Sequence, residues 1–402
     1  MKKLLLSSAV ATIASSALWS ANIVATKVEH SLKNIEEVSP LWKEAKVSEV
    51  SLYPQTTVKM FDKIANDKNA ENGSKIAKVQ AIYNDEEIAF LIRWKDDTLS
   101  IQKGYRSDSY GDGFAVQFAK DFSNPETLPY IGMGSEGREV VVHLQKAAPN
   151  TFEPNGNGNV ELQVNRKNTD HFEENLAKFD QAVKDAGKVD YERTFVSAGF
   201  RSMTEIKDGS VNSNMNMVYN IKRNCWKGTL TRDLKDEYLN LDAPAIPVAF
   251  AVWDGEKNNR DGLKLLSGWT SVELEGKEGG EKLVSALNDE VAGDLANGKS
   301  QFEMNCAACH ITKDMQMSMP FMAPDLSNIG GYASAGYIKE SIVNPNAVVV
   351  PGYNRNAHPN FEWYNLVDGK RVSTMPGFDW LDEKSLTDIV AYVKTLKSEE
   401  EK

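Results

Sequence analysis

Residues 305–310 read NCAACH, which sets the thiols of Cys306 and Cys309 three positions apart and the imidazole of His310 directly after the second. Three chemistries could use such a group. A redox thiol pair does not require the histidine, and the flanking residues do not read as a strand-to-helix turn. Half of a zinc site would need two more soft ligands, and the only other cysteine is Cys225, far away in RNCWKGTL. Covalent attachment of a c-type haem uses all three side chains. On a helix both thiols reach the two vinyl groups of one porphyrin, and the histidine meets the iron from one face.

The other face of that iron needs a ligand. The same region offers Met315, Met317, Met319, Met322, Met375 and His358. Met375 lies in STMPGF, just before a terminal segment in which Leu386, Ile389, Val390, Tyr392, Val393 and Leu396 form one apolar stripe. With FMAPDLSNIGGY and IVNPNAVVVPGY, these features make residues about 290–397 resemble class I cytochromes c. The resemblance implies that Cys306 and Cys309 hold one covalent haem c, with His310 and Met375 on its iron. The methionines at 315–322 are the rival ligands, and their closeness to His310 suits packing against the haem edge. Histidine with methionine raises the potential above that of two histidines and suits electron transfer.

These residues need scaffolds. The chain opens MKKLLLSSAVATIASSALWSANIVATK, where two lysines precede a short apolar run diluted by serines. That is the pattern of a secretory signal peptide, too short to span a membrane. Cleavage is expected after Ala25, with Ala21 the weaker site. No later stretch is apolar enough to cross a bilayer, so a soluble periplasmic protein is expected. The net charge of −11 is spread along 402 residues, which argues for solubility and against nucleic acid as a partner. Three cysteines give no disulfide framework. Cys225, between apolar-patterned residues, reads as a buried strand thiol.

The length exceeds one ordinary domain. Residues 26–275 alternate with period two in segments such as EIAFLIRW, GFAVQFAK, REVVVHLQ and IPVAFAVW, which predicts a β-sandwich. One insertion breaks that pattern. In DHFEENLAKFDQAVKDAG, Phe172, Leu176, Phe179, Val183 and Ala186 recur at helical spacing. Residues 276–290 read as a linker running into a helix. Residues 291–402 read as a small all-α domain built on VAGDLANGKSQFEMNCAACH, AGYIKESIV and EKSLTDIVAYVKTLKSEE.

The strand region resembles the haem-binding γ subunit of ethylbenzene dehydrogenase and of related molybdoenzymes in the dimethyl sulfoxide reductase family. The pieces that carry this are, in order, SPLWKEAKVSEVSLYPQ, EEIAFLIRWKDDT, GDGFAVQF, IGMGSEGREVVVHLQKA, IPVAFAVWDG and GLKLLSGW. The resemblance implies one non-covalent haem b, with Met133 of IGMGSEG and Lys264 of GLKLLSGW on its iron. A ligating lysine must lose its proton, and burial beside an iron cation pushes its pKa in that direction. Without the resemblance, Met133 would read as a gap-filling loop residue and Lys264 as a solvated one. Arg138 closely follows Met133 and is read as a partner for a haem propionate. His143 alternates with Val142 and Leu144 and reads as a satisfied or exposed histidine, not a ligand. Trp253 and Trp269 read as core aromatics.

The chain departs from the γ-subunit pattern by its fused cytochrome. That implies a dihaem electron-transfer protein. Its expected partners are molybdoenzyme catalytic and iron–sulfur subunits, and a soluble cytochrome or terminal reductase. Two other readings stay open. The sandwich could bind carbohydrate or another ligand beside a monohaem cytochrome, or the chain could be a dihaem redox enzyme such as a peroxidase. No Ser/His/Asp set, HExxH site, phosphate loop or paired-carboxylate motif stands out, so no catalytic residue is assigned.

Overall fold

The computed structural model describes residues 22–60, 62–101, 110–147, 191–207, 209–288 and 290–400. The amphipathic segment expected at 170–187 lies outside the described residues, as does the leader up to residue 21. Among the described residues thirteen strands build the first domain: β1 (Ile23–Lys27), β2 (Ser48–Pro54), β3 (Lys75–Tyr83), β4 (Glu87–Lys95), β5 (Gly113–Ala119), β6 (Val140–Lys146), β7 (Glu192–Ser197), β8 (Thr204–Glu205), β9 (Ser213–Asn220), β10 (Cys225–Asp233), β11 (Ala245–Trp253), β12 (Leu265–Leu266) and β13 (Thr270–Leu274). Eleven of them run β8-β7-β6-β5-β11-β12-β2-β3-β4-β10-β9, and off this path β13 pairs with β11 and with β1. Neighbours are antiparallel except β1, which pairs in parallel with both β13 and β3. The sheet folds over a core of alternate residues, among them Phe114, Val116, Phe118, Val248, Phe250 and Val252. This is the sandwich-like antiparallel architecture that the alternation predicts.

β11 is buried along its whole length, not on one face only. Its inner face fills the sandwich. Its outer face carries Ala249, Ala251 and Trp253, which join a second core shared with the C-terminal helices. β5 does the same with Ala115 and Ala119. Small side chains there let a second layer approach closely. Among the described residues the α-helices are α1 (Lys63–Glu71), α2 (Glu281–Asn288), α3 (Leu295–Asn305), α4 (Ile329–Tyr332), α5 (Ala335–Val343) and α6 (Glu383–Lys394). α2 falls inside the segment read as a linker and seats Leu283 in the shared core.

β1 bears on the leader. Ile23 and Ala25 are fully buried within it. Cleavage after Ala25 would remove both, whereas cleavage after Ala21 leaves the strand whole. Cys225 opens β10 opposite Lys95 and Asn220 and is half-buried, so the fully buried thiol expected from its neighbours is corrected. It sits at the strand end, where solvent reaches it.

α3 and α6 form the frame of the C-terminal domain. Asp294 caps α3 and Asp382 caps α6, each accepting from backbone N–H groups of the first turn. A side chain at Gly298 would collide with the Asp388 carbonyl, so glycine there lets the two helices touch backbone to backbone. Phe302 and Tyr392 meet edge to face at 5.5 Å beside that contact. The buried Asp388 carboxylate accepts from Asp294 N (2.8 Å), Asn297 Nδ2 (2.7 Å) and Lys384 Nζ (2.6 Å). A short hairpin, β14 (Tyr364–Val367) and β15 (Lys370–Ser373), precedes α6 and has no counterpart in the helical expectation.

Candidate functional site

α3 ends at Cys306, whose N–H donates to the Phe302 carbonyl at 2.8 Å. The chain then turns tightly, with the N–H groups of Cys309 and His310 both donating to the Cys306 carbonyl at 3.0 and 2.9 Å. The motif therefore lies in the turn beyond the helix, not on the helix as its spacing suggests. The turn keeps the thiols three residues apart but leaves Cys306 buried and Cys309 exposed. Burial pushes the Cys306 thiol up to about 12, so it stays protonated until it reacts.

The His310 ring is fixed from behind. Its Nδ1 lies 2.9 Å from the Pro324 carbonyl, which can only accept, so Nδ1 carries the proton. Nε2 is left as a free lone pair, the arrangement that prepares an imidazole for a metal. Burial holds the ring pKa below its ordinary value and keeps it neutral. Pro324 belongs to FMAPDLSN, so that segment supplies the histidine's support.

Met375 follows β15, with its N–H donating to Ser373 Oγ at 3.2 Å. It lines the same cavity as Cys306, Cys309 and His310, a space of about 710 Å³ with apolar walls that include Phe302, Ile338, Ile342, Val350 and Phe378. Of the rival methionines, Met322 reaches this cavity. Met317 and Met319 are 72% and 48% exposed, and Met315 is buried in the shared core. Two thiols, a neutral imidazole and a thioether around one apolar cavity fit a covalent haem.

The cavity is not lined by the cytochrome region alone. Thr57, from the loop after β2, and Tyr130, from the loop before β6, reach it from the sandwich. Thr57 Oγ1 lies 2.7 Å from Tyr130 Oη and 3.4 Å from Tyr353 Oη. Burial raises the pKa of Tyr130, Tyr337 and Tyr353 on this wall, so their hydroxyls remain neutral donors. Sequence reading missed them. Tyr130 stands alone in ETLPYIGMG, Tyr337 sits in the helical AGYIKESIV and Tyr353 ends VVVPGY, and none of these contexts marks a tyrosine as a cavity residue.

The second predicted group sits on the sandwich. Met133 holds a left-handed backbone, φ 77°, uncommon for a residue with a side chain. Its carbonyl accepts from Gly199 N and Ser197 Oγ, both at 2.8 Å, which holds the turn in place. Lys264 is only 5% exposed. Its Nζ has one long contact, 3.5 Å to the Asp261 carbonyl, and stands 5.4 Å from the centre of the Trp253 ring. Among the described residues no carboxylate pairs with it, and burial lowers its pKa to about 8. A buried amine so poorly satisfied fits a cation ligand better than a solvated lysine. Lys146 Nζ lies 4.4 Å from the same indole centre. Gln55 links the two segments: its N–H donates to the Lys264 carbonyl at 2.9 Å, and its side chain lies against Gly132.

Arg138 is engaged elsewhere. Its guanidinium donates to both Glu340 oxygens, at 2.5 and 2.7 Å, across to α5. A propionate at Arg138 would have to displace that carboxylate. His143 is fully buried, with Nδ1 3.1 Å from Thr194 Oγ1 and Nε2 accepting from Arg232 at 3.0 Å, so both ring nitrogens are used. Trp253 and Trp269 are buried, donating to the Asp261 and Pro129 carbonyls at 3.2 and 2.9 Å. At one end of the sandwich Asp96, Asp112 and Asp254 bring carboxylate oxygens within 4.8 Å of one another. Burial and mutual repulsion raise Asp96 to about 7 and Asp112 to about 6. Among the described residues no helix is long and apolar enough to cross a membrane.

The ethylbenzene dehydrogenase family model matches residues 39–265, and the cytochrome c family model matches residues 295–397. No curated protein matches the chain. Among solved structures, a family 9 carbohydrate-binding module from Caldicellulosiruptor kristjanssonii in complex with cellotriose has 8% identity over 64% of this chain and 96% of its own, with a TM-score of 0.30. A putative carbohydrate-binding protein from Bacteroides uniformis has 9% identity over 65% and 94%, with a TM-score of 0.29. The chain belongs to the ethylbenzene dehydrogenase family and carries a class I cytochrome c domain after the family domain.

Proposed function

We propose that this is a periplasmic dihaem electron-transfer protein that relays electrons between a molybdoenzyme of the dimethyl sulfoxide reductase family and a soluble respiratory carrier. The observation that carries the reading is the single apolar cavity shared by Cys306, Cys309, His310 and Met375. Bound there, a haem supplies one-electron redox chemistry. The chain's own residues attach it through two thioethers, hold His310 in the correct tautomer and exclude water from the iron. The sandwich holds the second haem through Met133 and Lys264. Its support is the family match, the strained turn at Met133 and the buried amine of Lys264. Two protein ligands on each iron would leave no open position for a substrate, which suits carrying electrons and leaving catalysis to a partner. Export follows from the leader, removed after Ala21 so that β1 survives.

The test is a pyridine haemochrome spectrum with acid–acetone extraction of the exported protein. One covalent haem and one extractable haem per chain are expected. A haem-replete sample with a single, wholly covalent haem would remove the haem b assignment and leave a monohaem cytochrome on a sandwich of other purpose.

A further inference from the structure

The sandwich contributes to the haem c cavity, and the way it does so is specific. Tyr130 is pinned from three sides. The Pro129 carbonyl accepts from Trp269 Nε1 and the Ile131 carbonyl from Gln117 Nε2, both at 2.9 Å, while the Tyr130 carbonyl accepts from Gly134 N at 2.8 Å. Its ring packs on Tyr337 at 5.0 Å and stands edge-on to Tyr353 at 5.9 Å. The loop bearing Thr57 is tied down as well. Thr56 Oγ1 donates to the Asp325 carbonyl at 3.1 Å, and Lys59 pairs with the Asp325 carboxylate at 3.3 Å. Asp325 directly follows the proline that orients His310.

Thr57 and Tyr130 thus place two adjoining hydroxyls on the wall of the apolar cavity. A hydroxyl both donates and accepts, and its bond to a charged acceptor is stronger than one to a neutral neighbour. The cavity offers a natural acceptor when filled. A haem carries its carboxylates on the edge away from the two vinyl positions. Here the vinyl edge must lie at Cys306 and at the exposed Cys309.

We propose that Thr57 and Tyr130, from the sandwich domain, hydrogen-bond a carboxylate of haem c and set its potential. They are positioning residues that act through the haem edge, and this inference rests on the covalent haem of the reading above. A donor on the carboxylate withdraws negative charge from the iron's surroundings. Its loss favours the ferric state and lowers the potential.

The experiment is a redox titration of the covalent haem band in the full-length holoprotein. Tyr130→Phe and Thr57→Val should each shift the ferric-to-ferrous ratio about tenfold at fixed potential, roughly 59 mV downward. Thr57→Ser, which restores the hydroxyl, should titrate as the wild type. Should Tyr130→Phe fail to fold, Tyr353→Phe, which removes a hydroxyl from the same group, is titrated in its place with the same expectation. Unchanged potentials with the covalent haem retained would overturn the proposal. So would a Thr57→Ser shift equal to that of Thr57→Val, since packing alone would then be the cause. Absence of covalent haem in the wild type would instead refute the cytochrome reading, which the haemochrome spectrum decides beforehand.

Discussion

Arg138 and Glu340 join in a two-pronged ion pair between the sandwich and the cytochrome, with N–O distances of 2.5 and 2.7 Å and each side chain about one-fifth exposed. Planar pairs of this kind are the stronger ones, and partial burial protects this one from salt. Glu340→Ala leaves a half-buried guanidinium without its partner. It should cost about 1–2 kcal/mol. Denaturant melts of the wild type and variant would measure it, and equal midpoints would show the pair to be neutral.

Met375→Ala removes the thioether while leaving both thiols and His310 in place. The covalent haem should stay attached, the spectral signature of sulfur ligation should vanish, and the potential should fall. If that signature persists, Met322, also on the cavity wall, becomes the ligand to test.

Lys264→Met separates two properties. The extractable haem should be lost, while the haem-free protein should become more stable by about 1–3 kcal/mol, because a poorly satisfied buried amine is gone. Haem counting and thermal melts of the haem-free form read these independently. A variant that keeps its extractable haem would remove Lys264 from the iron.

The mature protein should begin at Asn22. Intact mass and N-terminal sequencing of exported material decide between this and a start at Thr26, which would lack Ile23 and Ala25 of β1.

Asp96 and Asp112 have folded pKa values of about 7 and 6, above the ordinary 3.8. Between these values the folded state binds more protons than the unfolded state. The cluster's contribution to stability therefore falls as pH rises from about 4, up to about 6 for Asp112 and about 7 for Asp96, on the order of 1 kcal/mol per pH unit for each group. Asp96→Asn should flatten that fall in melts recorded across the range. A slope equal to the wild type's would show Asp96 to be ionised throughout.

Much of this was legible because it is local. Period-two alternation marked the strands, and CAACH with a methionine loop marked the cytochrome. What escaped depends on contacts between distant segments. Nothing in GREVVV signals that Arg138 meets Glu340, 202 residues away. Nor does a lone tyrosine in ETLPYIG show that it lines a haem cavity in the next domain. The Cys-x-x-Cys-His spacing suggested a helix, but α3 stops at Cys306 because the next donors turn back on a single carbonyl. Ala25 fits the small-residue rule for cleavage, a local pattern blind to the pairing of β1 with β3 and β13.

The alanine face of β5 and β11 has a consequence for how such a protein can arise and be handled. Ala115, Ala119, Ala249 and Ala251 lie in one core with residues of the cytochrome helices, among them Phe302, Ile329 and Ile389. Cut at the segment before α3, the first half would lose part of that core and the second would lose two residues of its haem cavity. The two halves are thus no longer interchangeable parts. They are to be made as one piece, and a truncated sandwich is a poor reagent for testing the second haem proposed for it.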